Sequence, residues 1–155
     1  MPSPQSTLEK LIGTCRNVAP GGWVELQDWD LEYVSDDGTL TEEHDFRKWN
    51  NAFIKGLETI ERDPRPGHKL CSYAEHAGFT NIYAEKFKIP MGPWPKDPVM
   101  KQTGMMNLAQ MLDGMEAFSL KIFEMLQWSR DETEVFLAKV RKEMKAGKFH
   151  SYATL

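Results

Sequence analysis

Apolar residues follow two different spacings over the first thirty positions of the chain. From Thr7 they recur at helical intervals and predict a short amphipathic helix, which the Ala-Pro-Gly-Gly turn of residues 19–22 ends. Residues 23–29 then alternate at period 2 and predict a strand. A helix, a turn and a strand in this order indicate an α/β fold. The apolar positions of the predicted helix are Leu8, Leu11, Ile12 and Cys15.

The clearest helical pattern lies in residues 41–60. We predict that Thr41 caps this helix and that Glu42 and Glu43 lie in its first turn, where acidic side chains complement the helix dipole. Large apolar residues follow at intervals of three and four, so one face of the helix is predicted to be buried. These residues are Phe46, Trp49, Phe53, Leu57 and Ile60.

Three elements are predicted in the middle of the chain. A short helix over residues 70–77 ends at Gly78, and a strand follows over about residues 82–89. Four prolines in residues 90–98 exclude regular structure there. A long helix then covers about residues 99–128, with a break near Gly114.

The last part of the chain carries a capping box. Ser129 and Glu132 have the spacing that opens a helix, and Gly147 ends that helix. Residues 150–155 are predicted to be extended. The buried side of this last helix is formed by Phe136, Leu137, Val140 and Met144.

Length and charge narrow the class of protein. The chain has 155 residues, about the size of one domain, and we expect a disordered lead-in over residues 1–6 and a single domain over residues 7–155. It carries 19 Lys and Arg against 23 Asp and Glu, a net charge of −4. That charge argues against nucleic-acid binding, which requires a basic surface.

Cysteine usage and the hydropathy of the chain indicate a compartment. Two cysteines, Cys15 and Cys71, cannot form a disulfide framework, so a reducing compartment is expected. Residues 1–5 have neither the basic nor the apolar region of a signal peptide. No stretch approaches the roughly 18 apolar residues of a membrane span. We therefore expect a soluble cytoplasmic protein without a membrane contact, with the nucleus as the alternative.

Common catalytic motifs are absent from the sequence. It contains no Gly-x-Gly-x-x-Gly and no Gly-x-x-x-x-Gly-Lys-Ser/Thr loop for phosphate. It contains no His-Glu-x-x-His, Cys-x-x-Cys or Gly-x-Ser-x-Gly either. Asp28, Asp30 and Glu32 alternate and could offer carboxylates to Mg²⁺, but solvated acids at a strand end are the commoner case, so we predict no metal site.

Histidines are the natural candidates for proton transfer because the pKa of imidazole lies near neutrality. The chain has four, at positions 44, 68, 76 and 150, and none has a fixed partner in the sequence. His44, just after Thr41, could point into a cleft at the strand end and accept a proton. A purely structural role for His44 is the alternative.

Methionines are concentrated in one part of the chain. Seven of the nine lie between Met91 and Met125, which suits either an adaptable apolar pocket or a helical core seam. Met105 and Met106 are adjacent and so face different ways. Trp94, in the proline-rich loop, is either a pocket lid or a packing anchor.

Several segments of the chain form a recognisable combination. The first two read Asn-Val-Ala-Pro-Gly-Gly-Trp-Val-Glu-Leu-Gln-Asp-Trp-Asp and Ser-Asp-Asp-Gly-Thr. The full set is residues 17–30, 35–39, 77–79, 88–97, 116–119 and 128–130. Together these segments resemble fungal LaeA-like methyltransferases, which are class I S-adenosylmethionine-dependent enzymes or regulators tied to secondary metabolism. The resemblance covers nearly the whole chain.

The resemblance implies the C-terminal half of such an enzyme. The fold would be a partial Rossmann-like class I methyltransferase fold, with few strands, a large helical insertion and C-terminal helices. The family's glycine-rich cofactor loop would lie upstream, so S-adenosylmethionine is implied by resemblance only and this chain alone is not expected to bind it. The chain would be an enzyme of the transferase class when completed by the missing half or by a partner.

The resemblance also implies a site and a substrate. Asp28, Trp29 and Asp30 would lie at the carboxyl end of the strand, where open α/β sheets bind their ligands. With Trp94 and Met105 they would bind a small molecule of fungal secondary metabolism, and His44 would accept a proton. The alternative is a non-methylating accessory or regulatory subunit, or a cofactor-free cyclase or isomerase, on a degenerate methyltransferase scaffold.

A partner is expected at the first predicted strand. Residues 23–29 would expose unpaired backbone, because the strand that neighbours them in the full fold is missing. We therefore expect a homodimer, or pairing with a methyltransferase partner, through this sheet edge.

Overall fold

Three strands and four α-helices form the part of the chain that the computed structural model describes, namely Gly13 and residues 17–155. The presence of both helices and strands confirms the predicted α/β class. The predicted helix that contains Leu8, Leu11, Ile12 and Cys15 lies outside the described residues. In chain order the elements are β1 (Asp30–Val34), α1 (Asp45–Thr59), a 3-10 turn (Gly67–Lys69), α2 (Leu70–His76), β2 (Lys88–Met91), α3 (Pro98–Met125), α4 (Arg130–Ala146) and β3 (Ser151–Thr154).

β3 lies at the centre of the sheet, although it comes last in the sequence. The strand order is β1-β3-β2, and β3 is antiparallel to both neighbours. Val34 is opposite Tyr152 on one side, and Met91 is opposite Ser151 on the other. The carboxyl ends of β1 and β2 therefore meet at the amino end of β3.

Side chains cover the outer edge of β1. Asn50, which is fully buried in α1, accepts a hydrogen bond from the Tyr33 N–H (2.9 Å) and donates one to the Leu31 carbonyl (2.8 Å). Arg47 donates to the Tyr33 carbonyl (2.6 Å), and the Leu31 N–H donates to the Pro64 carbonyl (2.9 Å). The Asn50 amide thus replaces a neighbouring strand, and these backbone groups of β1 are satisfied.

The predicted strand over residues 23–29 is wrong, because those residues have no regular structure and the strand begins at Asp30. The hydrogen-bond partners explain why the strand begins later than predicted. The partners described in β3, in α1 and in the loop before α2 all contact the chain at or after Asp30. Without such partners an alternating pattern does not form a strand. Trp23 is 86% exposed.

The predicted start of α1 is also wrong. The helix begins at Asp45 with His44 as its N-cap residue, so Glu42 and Glu43 lie outside its first turn. The reason is a local hydrogen bond: the Thr41 N–H donates to His44 Nδ1 (3.1 Å) and closes a turn ahead of the helix.

Proline has a different role around β2 from the one predicted. Residues 82–87 are not in a strand, and Pro90 and Met91, predicted to lack regular structure, belong to β2. Pro90 fits because β2 is an edge strand whose outer side needs no N–H donor. Pro98 starts α3 at the first helical position, where a missing N–H costs nothing.

The remaining helix ends agree with the sequence pattern. Gly78 and Gly147 follow α2 and α4 with positive φ angles, as expected of glycines that end helices. Ser129 and Glu132 form the predicted capping box. α3 runs through Gly114 without a break.

The core lies between the sheet and helices α1, α3 and α4. Phe46 stacks between Trp49 and Phe149, with ring centroids 5.7 and 5.2 Å away. The Trp49 indole N–H donates to the buried Ser119 hydroxyl (2.8 Å), so the polar atom of the largest core residue is satisfied. The helices add Met115, Ile122, Phe123, Leu137, Val140 and Met144 to this core.

The clustered methionines divide between core and surface. Met91 and Met115 are buried, whereas Met105 and Met106 are exposed on α3. None of the helices in the described part of the chain combines the length and the apolar character needed to cross a membrane.

Replacing Asn50 tests whether this side chain holds β1. We expect Asn50→Ala to lower the free energy of unfolding by about 2–3 kcal/mol, because it leaves two buried backbone groups of β1 without a partner. Asn51→Ala is the matched control: Asn51 is exposed and bonds only Glu42, so its removal should cost less than about 0.5 kcal/mol. Urea unfolding measures both, and equal effects would contradict the role of Asn50.

Candidate functional site

Three chain segments meet at the end of the sheet where β3 begins. They are the turn of residues 35–39 after β1, residues 92–94 after β2, and His150 immediately before β3. The antiparallel register brings them together, because β1 and β2 end where β3 starts. We call this group the β3-start cluster: Asp36, Asp37, Trp94 and His150.

Asp37 organises the turn. Its Oδ1 accepts hydrogen bonds from the Ser35 hydroxyl (2.8 Å), the Thr39 hydroxyl (2.7 Å) and the Thr39 N–H (3.1 Å). Gly38 provides the positive φ of +71° that the turn needs. Hydrogen bonds from Thr39, then Ser35, then His150 hold the pKa of Asp37 well below its usual range. This carboxyl group is therefore ionised throughout the neutral range.

His150 is fixed by Asp37 and Thr39. Its Nδ1 lies 2.6 Å from Asp37 Oδ2, and its backbone N–H donates to the Thr39 hydroxyl (2.7 Å). An ionised carboxylate only accepts hydrogen bonds, so the hydrogen-bond network assigns the ring proton to Nδ1. In the neutral ring the lone pair is then on Nε2, for which no hydrogen-bond partner occurs among residues 17–155.

Trp94 holds the other side of this histidine. The two rings stack with centroids 5.1 Å apart, and the indole N–H donates to the Ser151 carbonyl (3.1 Å). Trp94 thus anchors residues 92–94 to β3 and restricts the imidazole to one plane. Its predicted role in substrate binding stays a prediction.

A cavity of about 230 Å³ opens beside His150. Its wall is largely apolar, and the His150 imidazole is the titratable side chain among the residues that line it. The volume is below that of a typical drug-sized pocket and corresponds to a small, single-ring molecule. The cavity is lined by Met91, Gly92, Pro93, Trp94, Met144, Gly147, Phe149 and His150.

Asp36 fastens the same turn to β2 and β3. It accepts hydrogen bonds from Tyr152 Oη (2.6 Å) and Lys88 Nζ (2.5 Å), and Lys88 Nζ lies 4.5 Å from the centre of the Tyr152 ring. The hydrogen bond from Lys88, followed by that from Tyr152, lowers the pKa of Asp36, and the Asp36 contact raises the pKa of Lys88. Asp36 therefore ties the turn to both strands, while Asp37 binds the residue just before β3.

The structure places His44 at the same end of the sheet as His150, but the His44 ring makes different contacts. His44 Nδ1 accepts a hydrogen bond from the Thr41 N–H, and the ring packs edge-on against Phe149 at 5.4 Å between centroids. In the neutral ring the proton is consequently on Nε2, and the lone pair is already engaged. The geometry favours His150 over His44 as a proton acceptor, while a catalytic role for His44 stays a prediction.

Asp28, Trp29 and Asp30 lie at the start of β1 and not at its carboxyl end, because the strand was predicted too early in the sequence. The five residues of β1 span roughly 13 Å at about 3.3 Å per step, so these residues lie away from the β3-start cluster. Asp28 accepts a hydrogen bond from the Trp29 N–H (2.8 Å). Their assignment to substrate binding is untested.

Two of the three alternating acids face basic side chains. Asp30 Oδ1 lies 3.6 Å from His68 Nδ1, and Glu32 lies 3.2 Å from Arg65. Within the described ranges no group of three or more His, Cys, Asp or Glu residues is placed to hold a metal ion. Met105, the remaining predicted substrate contact, is 55% exposed on α3.

The sequence interpretation missed the pairing of Asp37 with His150. The two residues are 113 positions apart, too far for a local sequence pattern to indicate their contact. The sequence did contain one sign of a further role for the acids of the turn at residues 35–39. One aspartate is enough for a turn of this kind, and the chain has two in succession.

The described residues do not fit an S-adenosylmethionine site. Such a site needs a parallel strand followed by a glycine-rich turn and a free helix amino end, whereas this sheet is antiparallel. The amino ends of the three long helices are closed by acidic or hydroxyl side chains. Asp97 caps α3, Ser129 with Glu132 caps α4, and Glu143 accepts the Phe46 N–H of α1 (2.8 Å).

Comparison with known proteins finds fungal methyltransferases. The methyltransferase pytC of Aspergillus terreus is 35% identical over 92% of this chain and 44% of its own length. The probable methyltransferase tdiE of Emericella nidulans is 31% identical over 88% of this chain and 43% of its own. The secondary metabolism regulator laeA of Monascus pilosus is 26% identical over 90% of this chain and 38% of its own.

These relatives identify the chain as a homologue of fungal methyltransferases and of LaeA-type regulators of secondary metabolism, as the sequence segments predicted. The chain spans about half the length, or less, of the relatives it matches. No protein-family model and no solved structure matches it.

Acid titration tests the hydrogen bonds of Asp37. The pKa of Asp37 is lower in the folded chain than the value of about 3.9 in an unfolded one, so its stabilising contribution is present above about pH 5 and is lost as the pH falls. We expect the stability gap between the wild type and Asp37→Asn to narrow from pH 5 to pH 3. Urea unfolding measures this gap.

The control for that titration is Asp113→Asn, which removes one charge from an exposed position of α3. Its effect is subtracted as the general effect of net charge. A gap for Asp37→Asn that stays constant down to pH 3 would contradict the assignment.

Proposed function

We propose that this chain provides the acceptor side of an S-adenosylmethionine-dependent methyltransferase that acts on a small molecule of fungal secondary metabolism. The observation that carries the proposal is the similarity to methyltransferases over about nine-tenths of the chain, matching under half of their length. Its three-stranded sheet would be one edge of a larger, Rossmann-like class I sheet.

The geometry of the β3-start cluster supports an acceptor role. A small apolar cavity lies beside a histidine whose free nitrogen suits a hydroxyl or amine acceptor. Met91, the last residue of β2, lines this cavity, and carboxyl ends of strands are where ligands of open α/β sheets bind. Most of the methylation rate would come from holding the acceptor in place.

The cofactor's site lies outside this chain under the proposal. In the complete enzyme S-adenosylmethionine supplies the methyl group. The antiparallel sheet and the capped helices of the described residues offer this cofactor no binding site. The sequence also contains no Gly-x-Gly-x-x-Gly loop. A complete enzyme requires a second half, within a longer protein or from a partner.

Calorimetric titration of the 155-residue chain with S-adenosylmethionine tests this division. We expect no heat of binding at micromolar concentrations, because the described residues do not form a site for the cofactor. A methyltransferase known to bind the cofactor serves as the positive control. Saturable micromolar binding by this chain would overturn the proposal.

A regulatory subunit is the second candidate, and the similarity to the LaeA-type regulator favours it. Residues 23–29 offer a contact surface for a methyltransferase partner or a second copy, because they alternate like a strand, lack a strand partner among the described residues, and include the exposed Trp23. A cofactor-free cyclase or isomerase would instead need only the cavity and the histidine.

Sedimentation velocity tests the contact surface. We expect the wild type to form dimers, or to join a methyltransferase partner, and we expect Trp23→Asp to weaken that association. Val99→Asp is the matched control, since Val99 is another exposed apolar residue but lies on α3. A wild-type monomer that also fails to join a methyltransferase argues against this surface.

A further inference from the structure

We propose that His150, oriented by Asp37, is the proton acceptor for an acidic hydroxyl group of a single-ring aromatic molecule bound in the neighbouring cavity. The inference deepens the proposed function, on which it rests, by naming the chemistry of the acceptor. It requires three things of the structure: a free basic nitrogen, an ionised orienting group, and room for a ring.

The free nitrogen follows from a comparison of the four histidines, all of which lie in the described part of the chain. His44 uses its lone pair to accept the Thr41 N–H, so its neutral ring has no free basic nitrogen. His76 donates from Nδ1 to the Ser72 carbonyl (2.6 Å) and is exposed near the end of α2. His68 Nδ1 lies 3.6 Å from Asp30 Oδ1, too far for a hydrogen bond that would fix its ring proton. Among the described residues His150 is therefore the histidine that combines a free Nε2 with a carboxylate hydrogen-bonded at Nδ1.

The carboxylate is placed to pair with the charge that His150 acquires when it accepts a proton. When Nε2 takes up a proton, the ring becomes a cation, and Asp37 lies 2.6 Å from its other nitrogen. Ser35 and Thr39 keep Asp37 ionised and in place, and Trp94 holds the plane of the ring. Asp37 is thus a positioning residue that also stabilises the charge His150 acquires.

The cavity selects the kind of molecule. Met91, Met144 and Phe149 give it an apolar wall, and thioethers make favourable contacts with aromatic rings. Its volume of about 230 Å³ suits one ring. Electron-withdrawing substituents on the ring lower the pKa of a phenolic hydroxyl from about 10 toward that of imidazole, so that such a phenol can give its proton to the histidine, whereas an aliphatic alcohol is far less acidic.

The proton-transfer step is balanced without any further reactant. The O–H bond of the bound phenol breaks and its electron pair stays on oxygen, giving a phenolate. The proton forms a new N–H bond at His150 Nε2, and the imidazolium is paired with Asp37. The phenolate is the more nucleophilic form of an acceptor.

The first test reads the position of the ring proton by long-range proton–nitrogen NMR correlation at a pH where the histidines are neutral. We expect the Nδ1–H form for His150 and the Nε2–H form for His44, and loss of the His150 preference in Asp37→Asn. Circular dichroism checks that the variant is folded. An Nε2–H form for His150 in the folded wild type would overturn the proposal.

The second test uses 4-nitrophenol, a single-ring phenol whose anion is yellow, at a pH just below the pKa of the free phenol. We expect a saturable rise in phenolate absorbance with the wild type and its loss in His150→Gln. The matched control His76→Gln should keep the full rise, because it changes a histidine remote from the cavity.

The other outcomes of this titration also decide the matter. No saturable rise with the wild type, or a rise that survives in His150→Gln, overturns the proposal. Loss of the rise in His44→Gln but not in His150→Gln transfers the role to His44. The proposed function fails on a different measurement, cofactor binding by this chain, so the two failures are distinguishable.

Discussion

The pairing of β3 with both of its neighbours is the interaction on which the rest of the structure depends. β1 and β2 do not contact each other in the sheet; each is hydrogen-bonded to β3. Because β3 is antiparallel to both, its first residues meet the last residues of β1 and β2. The cavity and its histidine exist at this end because of that geometry.

The two acids after β1 convert this pairing into a defined site. Asp36 binds Lys88 and Tyr152, and Asp37 binds His150, so one short turn is tied to two strands. The contacts of Asp37 with His150 and of Asp36 with Lys88 are exposed, and that of Asp36 with Tyr152 is partly buried, so each would add little stability if isolated. The Asp37 contact also determines which nitrogen of His150 carries its proton.

Local patterns predicted the helices well and the strands poorly. The capping box at Ser129 and the helix-ending Gly147 depend on neighbouring residues only, so the local sequence is enough to predict both. The position of β1 depends on Asn50 and on β3, which lies more than a hundred positions away, and the alternation of residues 23–29 carries no information about either. The later start of α1 depended on an unforeseen bond between Thr41 and His44.

The candidate site was predictable in part for the same reason. Trp94 was predicted to bind substrate, which stays a prediction, and the structure stacks its ring on His150. His150 was one histidine among four, and only the fold supplies its carboxylate. The strand was predicted too early in the sequence, so its carboxyl end was expected near residues 28–30. For that reason the site was assigned to Asp28, Trp29 and Asp30, whereas the strand begins at Asp30.

The central position of β3 also has a consequence for biosynthesis. A ribosome that has completed α4 has made both outer strands of the sheet but not the strand that joins them. The Asn50 amide can already shield one edge of β1 at that stage, while the edge that will meet β3 stays open. Sheet formation therefore waits for residues 151–154, and during this interval the nascent chain exposes strand edges that chaperones bind.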